Sequence, residues 1–582
     1  MSLLKELEEN LKEIVHKAGY EVEKLALEES NRKDLGEYQL NDAMQLAKTY
    51  HENPREIASK IVNELEKDQR FTNINIAGPG FINISLTEDY IYEILNKMNE
   101  NIESNIDKKE YKKIIIDYGG ANVAKALHVG HLRSANIGEA LKRLANLVGY
   151  EAIGDAHLGD FGRPLGLVIR EIKEMYPDLP YFDKSYEGDY SEVELPITNE
   201  DLERIYPLAS NKAKEDENYL EEAREITMKF QKYERGYYDL LKRIVEISKE
   251  DIKKTYDDLN VSFEIWNGES DEMIYFEELK DICEKKNILK ESEGAQIIEV
   301  AEEDEKAPMP PLMFLKSNGS VSYDTTDLAT ILGREKNIHP DEMWYVVDGR
   351  QTLHFDQVFR ASRKAEIVRN DTVLEHIGFG TMNGRDGKPF KTRDGGVMPL
   401  KQLIELVYEE TYKKITNESI AEEEKEKIAH QVAIAAIKYA DLLPFRGTDY
   451  VFEVEKFSDL EGKTGPYLLY STIRMKSLLK KAEAKKKDKV RKIKGTTEKE
   501  IALTLLNLPT AIDKSLETKS LNEIAEYLYR LTSLYNKFYA ENRILTEEDE
   551  ELVESWLCIT NIVYKVNNLL LTTLGITIPN KM

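Results

Sequence analysis

Cysteine is nearly missing from this chain: there are two in 582 residues, Cys283 and Cys558, far apart in sequence. No disulfide framework and no Cys-rich zinc or iron–sulfur site can be built from them. So few cysteines also suit a reducing compartment. Long apolar runs are absent as well, and none approaches the ~18 residues of a membrane span. The opening residues, MSLLKELEENLKEI, are charged and helical in pattern, unlike a signal peptide. Positive charge is in short supply: 81 Lys and Arg stand against 108 Asp and Glu, giving a net charge of −27. That surplus does not exclude a polyanionic partner, because binding depends on where the basic residues sit. What remains is a large protein without a membrane segment, expected in the cytoplasm. Its 41% apolar and 32% charged residues are globular proportions, and its length fits about three or four domains.

No internal period of about 20–50 residues repeats, which argues against a solenoid. Residues 3–30 and 52–68 read as amphipathic helices. INIAGPGFINISL (Ile74–Leu86) is two alternating apolar runs joined by Gly78-Pro79-Gly80, a hairpin signal. An N-terminal α+β domain over 1–107 follows. KKIIIDY (Lys112–Tyr118) then leads through Gly-Gly into a helix-period segment, and YEAIGDAH (Tyr150–His157) is a further strand candidate. Strand, turn and helix in that order open a doubly wound, Rossmann-like parallel sheet over 108–400. The charged stretch 171–260 reads as a helical insertion laced with i,i+4 acid–base pairs. Strand signals resume at PLMFLKSNGSVSYDTTDLATIL and EMWYVVDGRQTLHF. Residues 401–454 are expected to be a helical connector and 455–582 an all-α bundle. The fold class is α/β with flanking α+β and all-α domains. Between Lys480 and Gly495, nine Lys and Arg oppose Glu483 and Asp488, a run that is usually a solvated face.

His128-Val129-Gly130-His131 is the sharpest chemical feature. Two of nine histidines lie three apart at the start of a helix, after a predicted strand. A helix N-terminus favours phosphate. Imidazoles there can donate to a phosphate whose charge grows in a transition state. Gly130 lets a base or ribose approach the backbone. Lys125 adds positive charge just ahead. Lys388 and Lys391, in GKPFKT on a Gly-rich loop, can fold over a triphosphate and withdraw afterwards.

DYGGANVAKALHVGHLRSANIGEAL resembles the signature of class I aminoacyl-tRNA synthetases, specifically the arginyl enzymes. Asn122 and Leu132-Arg133-Ser134 match; Gly120 stands where Ser is common, and Ala121 and Ala126 where Pro is commonest. Lys388-Pro389-Phe390-Lys391-Thr392 is similar to the degenerate K-x-x-K-[ST] form of the family's mobile loop. GDAHLGDFGRPLG (Gly154–Gly166), SYDTTDLAT (Ser322–Thr330) and WYVVDGRQTLHFDQ (Trp344–Gln357) resemble three further family elements. The resemblance implies ATP at His128, Gly130, His131, His354 and Lys391, with Lys125 and Lys388 assisting. It implies arginine at Asp117, Asn122, Tyr323, Asp327 and Gln351; a hydroxyl beside a carboxylate suits a planar guanidinium. Magnesium would accompany ATP as substrate, and no protein ligand for it is visible in the sequence.

The C-terminal stretch, ending LLLTTLGITIPNKM, resembles the family's helical anticodon-binding domain, and the N-terminal block its additional tRNA-binding domain. Tyr467, Tyr470 and Tyr535, with Phe538 and Tyr539, are candidates for stacking on unpaired bases. Lys485 and Lys486 are candidate phosphate contacts. The implied activity is arginine–tRNA ligation, with tRNA(Arg), L-arginine and ATP as partners and a monomer expected. Two other readings stay open on the residues alone. One is another HxGH-type class I synthetase or nucleotidyltransferase; the other is a tRNA-binding paralogue without catalysis.

Overall fold

The computed structural model describes the chain apart from residues 1, 26, 31, 33, 304, 391–396 and 417–419. Helix Leu3–Lys17 buries Leu7, Leu11, Ile14 and Val15, one stripe of a 3.6-residue period. It stops well short of residue 30. Gly19 takes a φ of 93°, and the N–H groups of Gly19 and Tyr20 turn back to His16 and Val15. Strands β1 (Leu27–Glu29), β2 (Tyr38–Leu40), β3 (Phe71–Ala77) and β4 (Phe81–Leu86) form an antiparallel sheet in the order β1-β2-β4-β3. The expected hairpin is β3–β4, turning at Gly78-Pro79-Gly80. Helices Asp42–Tyr50 and Pro54–Leu65 pack on it, and helix Glu88–Glu100 packs against helices Thr496–Leu506 and Glu550–Thr573.

The central sheet begins with β5 (Lys113–Asp117), whose Ile114, Ile115 and Ile116 are completely buried, as in a parallel strand covered on both faces. Helix Val129–Leu147 returns the chain to β6 (Glu151–Asp155). Helices Asn199–Glu215, Glu217–Gln231 and Arg235–Asp258 follow, packed back on helix Arg163–Met175. Next comes a small antiparallel sheet, β7 (Leu289–Ser292), β8 (Ala295–Ile298) and β9 (Leu312–Leu315), of which only the last was expected. After a turn at Lys316–Ser320 the stretch continues as helix Tyr323–Asn337. Its Thr325, Thr326, Thr330 and Ile331 are buried, so tertiary packing overrides their strand preference. Strands β10 (Glu342–Tyr345) and β11 (Val373–His376) complete the sheet, order β11-β10-β5-β6, all parallel. The chain therefore reverses direction across the sheet between β5 and β10, where ligands of doubly wound folds bind. His376, Tyr345, Asp117 and Asp155 lie in one register row at the carboxyl edge of that sheet.

A two-stranded parallel ladder, β12 (Met382–Asn383) with β13 (Tyr450–Val451), joins this sheet region to the helices that follow. Helices Leu400–Lys414, Glu422–Leu442, Gly465–Lys481, Asn522–Glu541 and Glu550–Thr573 dominate the C-terminal part. The basic run is a strap rather than a solvated helix. Asn96 pairs with both the N–H and the C=O of Val490, and Asn99 donates to the carbonyls of Lys487 and Asp488. On its other side Arg491 pairs with Glu554 at 2.9 Å and Lys492 with Asp549 at 2.6 Å.

Arg133, 1% exposed, joins three segments. Its Nε meets Asp441 at 2.9 Å, and its Nη1 donates to the carbonyls of Gly380 and Thr448. Tyr450 and Asn136 also donate to Asp441. Arg133→Met should leave the Asp441 carboxylate buried without its cation and destabilise the fold by about 3–5 kcal/mol. The Arg133→Met/Asp441→Leu double variant should recover much of this. Urea unfolding followed by tryptophan fluorescence, with Trp344 in the central sheet, reads both; equal losses in single and double variants would refute the pairing.

Candidate active site

His128 is the N-cap of helix Val129–Leu147. Its Nδ1 accepts the Gly130 N–H at 3.1 Å, while its own N–H donates to Nδ1 of His131 at 3.1 Å. The two rings lie 4.0 Å apart. With each Nδ1 accepting, the proton of each neutral ring resides on Nε2, which remains free to donate. Both rings favour the neutral form. Desolvation and then Lys125 lower the His128 pKa, while desolvation and then His128 push His131 down to about 3. A Cβ at Gly130 would come within 2.8 Å of the His128 ring, so the missing side chain makes room for the histidine itself. Lys125 lies over the Tyr206 ring at 4.3 Å.

The two-lysine loop is anchored at both ends. Before it, β12 pairs with β13, and Lys388 is exposed with its N–H on Asp386. Beyond it, Val129 donates to Met398 and Leu400 donates to Leu127, which stitches its far end to the histidine turn. Lys391 and Thr392 lie outside the described residues.

Asp117 and Asp155, adjacent on β5 and β6, share one cation that sequence reasoning missed. Nη2 of Arg334 lies 2.6 Å from Oδ2 of each. Arg334 is 4% exposed. Asp117 thus reaches the site already partly neutralised. Asn122, exposed on the turn after β5, bridges to Gly159, where a Cβ would strike its Oδ1 at 2.6 Å. Gly119, at φ 66°, allows that turn beside Phe263 and Tyr256. Behind it His157 contacts Thr330 of helix Tyr323–Asn337.

Tyr323 (61% exposed) and Asp327 share the first turns of that helix. His354, expected to face ATP, contacts this helix. Its Nε2 is 2.6 Å from Asp327 and its Nδ1 is 3.0 Å from Asp324. Gln351 lies exposed three residues before it, at the end of a short 3-10 turn. Glu269, which the sequence does not single out, lines a cleft of about 490 Å³ with Tyr323, Arg163, Arg224 and Lys316. Burial and then Asp160 raise its pKa to about 7. No spacing in the sequence marks Glu269, Asp324 or Arg334, because their partners lie far along the chain.

A second cluster sits on the C-terminal helices. A cavity of about 650 Å³ is lined by Tyr470, Arg474, Lys480, Lys481, Tyr539 and Met582, among others. The Arg474 guanidinium stands 4.7 Å from the Tyr470 ring and 5.5 Å from that of Tyr539. Tyr470 is 40% exposed. Tyr467 is half-buried, its hydroxyl held by Asn536. Tyr535 and Phe538, expected to stack on bases, are wholly buried, and Tyr535 bonds Thr560. They pack helices together. Lys485 and Lys486 are exposed on the strap.

The folded value of His131, about 3, lies below its ordinary 6.5. The unfolded chain takes a proton there as pH falls through about 6.5, and the folded one does not. This contribution to stability is therefore complete above that pH and is lost as pH falls toward 3. His131→Asn lacks the slope, so the stability advantage of the natural protein over the variant should shrink between pH 7 and 4. Parallel thermal-unfolding curves over that range would show the ring titrating normally.

Residues 2–86 match the arginyl tRNA synthetase N terminal domain, 91–454 the catalytic domain of tRNA synthetases class I (R), and 468–582 the DALR anticodon binding domain. The arginine–tRNA ligase of Alkaliphilus oremlandii (strain OhILAs) is 43% identical over 585 residues, covering 100% of both chains. That of Agathobacter rectalis is 42% identical over 581 residues, covering 97% of each. The fold is also that of the arginyl-tRNA synthetase of Plasmodium falciparum, with TM-score 0.79, 24% identity and 99% of each chain covered. The Thermus thermophilus arginyl-tRNA synthetase has TM-score 0.72 at 19% identity over 100% of both chains. Matched from end to end, with a histidine pair at the opening of its first sheet helix, this chain belongs to the arginyl-tRNA synthetase family.

Proposed function

We infer that the chain is an arginine–tRNA ligase. An arginine carboxylate oxygen attacks the α-phosphorus of ATP and pyrophosphate leaves. A hydroxyl of the tRNA's terminal ribose then attacks the adenylate carbonyl and AMP leaves. Neither step needs a covalent enzyme intermediate, so catalysis is positioning plus electrostatic stabilisation. The observation that carries the reading is the pair of neutral rings at the helix N-terminus, each with Nδ1 occupied and Nε2–H free to donate. Such donors stabilise phosphate oxygens without adding a fixed charge. Lys388, Lys391 and Lys125 supply positive charge around the triphosphate, and magnesium enters with the nucleotide as part of the substrate. Asp117, Asn122 and Gln351 take the amino-acid end of arginine. Tyr323 and Asp327 take the guanidinium, joined by Glu269, whose anion an incoming cation favours. The Tyr470–Arg474–Tyr539 cavity offers stacking faces and positive charge to unpaired tRNA bases.

Pyrophosphate exchange with each of the twenty amino acids, with and without tRNA, should respond to arginine alone. His128→Ala and His131→Ala should each lower it by roughly 10²–10³-fold, with the KM for arginine little moved. Wild-type exchange in both variants would remove the histidines from the chemistry. On the tRNA side, Tyr470→Ala should weaken binding by about 1–3 kcal/mol at unchanged salt dependence. Lys485→Gln/Lys486→Gln should instead flatten the salt slope by about two units. If titrations at several ionic strengths give the same slope, the phosphate footprint lies off the strap.

A further inference from the structure

Both nitrogens of His354 face carboxylates. The ring is the third residue of helix Thr352–Ala365, its side chain 11% exposed. A neutral imidazole carries one N–H and one lone pair. With Asp327 at 2.6 Å on one nitrogen and Asp324 at 3.0 Å on the other, a neutral ring would aim a lone pair at an anion. Two anions this close favour the imidazolium. Burial works against that charge, but the two carboxylates outweigh it and raise the pKa to about 9. The Asp327 contact is a hydrogen bond, while the Asp324 contact is ionic and off-line. Tyr323 faces the ring at 4.8 Å and Phe355 at 5.1 Å. His157 and Glu269 also feel the Asp327 charge.

We propose that His354 is a positioning residue of the guanidinium pocket: its imidazolium, braced by Asp324, fixes the Asp327 carboxylate and offsets one of the negative charges gathered there. The proposal rests on the reading that Asp327 receives the guanidinium. One oxygen of Asp327, Oδ2, is held by the ring, which leaves Oδ1 to meet the substrate in a set direction. The polar partners nearest the ring are these two carboxylates, which places its role beside Asp327.

The test is steady-state aminoacylation by the full-length enzyme together with NMR of carbon-13-labelled histidine. His354→Gln should raise the KM for arginine about tenfold, the scale of one charged hydrogen bond. The kcat and the KM for ATP should stay near those of the natural enzyme. Asp324→Asn should move the arginine KM in the same direction by less and lower the titration midpoint of the His354 resonance. In the natural enzyme that resonance should be the imidazolium at neutral pH. A neutral ring there, or a loss confined to ATP or kcat, overturns the proposal. Should His354→Gln fail to fold, Asp324→Asn and the wild-type spectrum decide. Asp327→Asn runs alongside. If it leaves the arginine KM unchanged, the pocket reading itself falls. If it raises KM while His354→Gln and Asp324→Asn do not, only the positioning role falls.

Discussion

The Arg133–Asp441 pair constrains more of this molecule than any other contact described above. A guanidinium 1% exposed cannot stay unpaired, since a buried charge without its counter-ion costs several kcal/mol. Its partners come from three places: Asp441 on helix Glu422–Leu442, the carbonyl of Gly380 before the two-lysine loop, and that of Thr448 before β13. Arg133 itself lies two residues beyond His131, on the helix that the histidine pair opens. Satisfying one side chain therefore sets the histidine turn, the approach to the loop and the first helices of the C-terminal region against one another. The Met398 and Leu127 backbone bonds close the same circuit from the far end of the loop.

Charge is organised by a second rule inside the pocket. Four carboxylates, Asp117, Asp155, Asp324 and Asp327, face two resident cations, Arg334 and His354. Among these four, two negative charges are left over before Glu269 is counted, and on the proposed function the cationic groups of arginine meet them. Resident cations also hold the carboxylates in fixed rotamers, so less order has to be imposed when the substrate enters. At the opposite end of the chain the arrangement inverts. Arg474, Lys480 and Lys481 gather beside tyrosines in a protein of net charge −27. The strap shows why a count of basic residues misleads. Arg491 and Lys492 neutralise Glu554 and Asp549, and only part of the run faces solvent.

Local signals were legible in the sequence, and long-range ones were not. The β3–β4 hairpin, the buried isoleucines of β5 and the histidine pair each depend on residues within a few positions of one another. The helix beginning at Leu3 was read too long because the stop at Gly19 depends on a left-handed residue that periodicity alone does not mark. Ser322–Thr330 carries strand-type threonines and also a Tyr323–Asp327 spacing that fits one helical face; it is helix, since burial of Thr325, Thr326 and Thr330 outweighs their intrinsic preference. Tyr535 and Tyr470 looked alike as stacking candidates. Which face of a helix is covered is settled by its neighbours, and only Tyr470 remained outside.

By itself the sequence determined the class of the fold and the family, because these rest on contiguous motifs such as HVGH and on short strand–turn–helix units. The tertiary structure alone decided which charges meet. Arg334 finds Asp117 across 217 residues and Asp155 across 179, and His354 meets Asp327 across 27. The physical reason is that a buried ionic group takes its partner from whatever the packing brings within about 3 Å, and packing of that kind leaves no period or spacing in the chain.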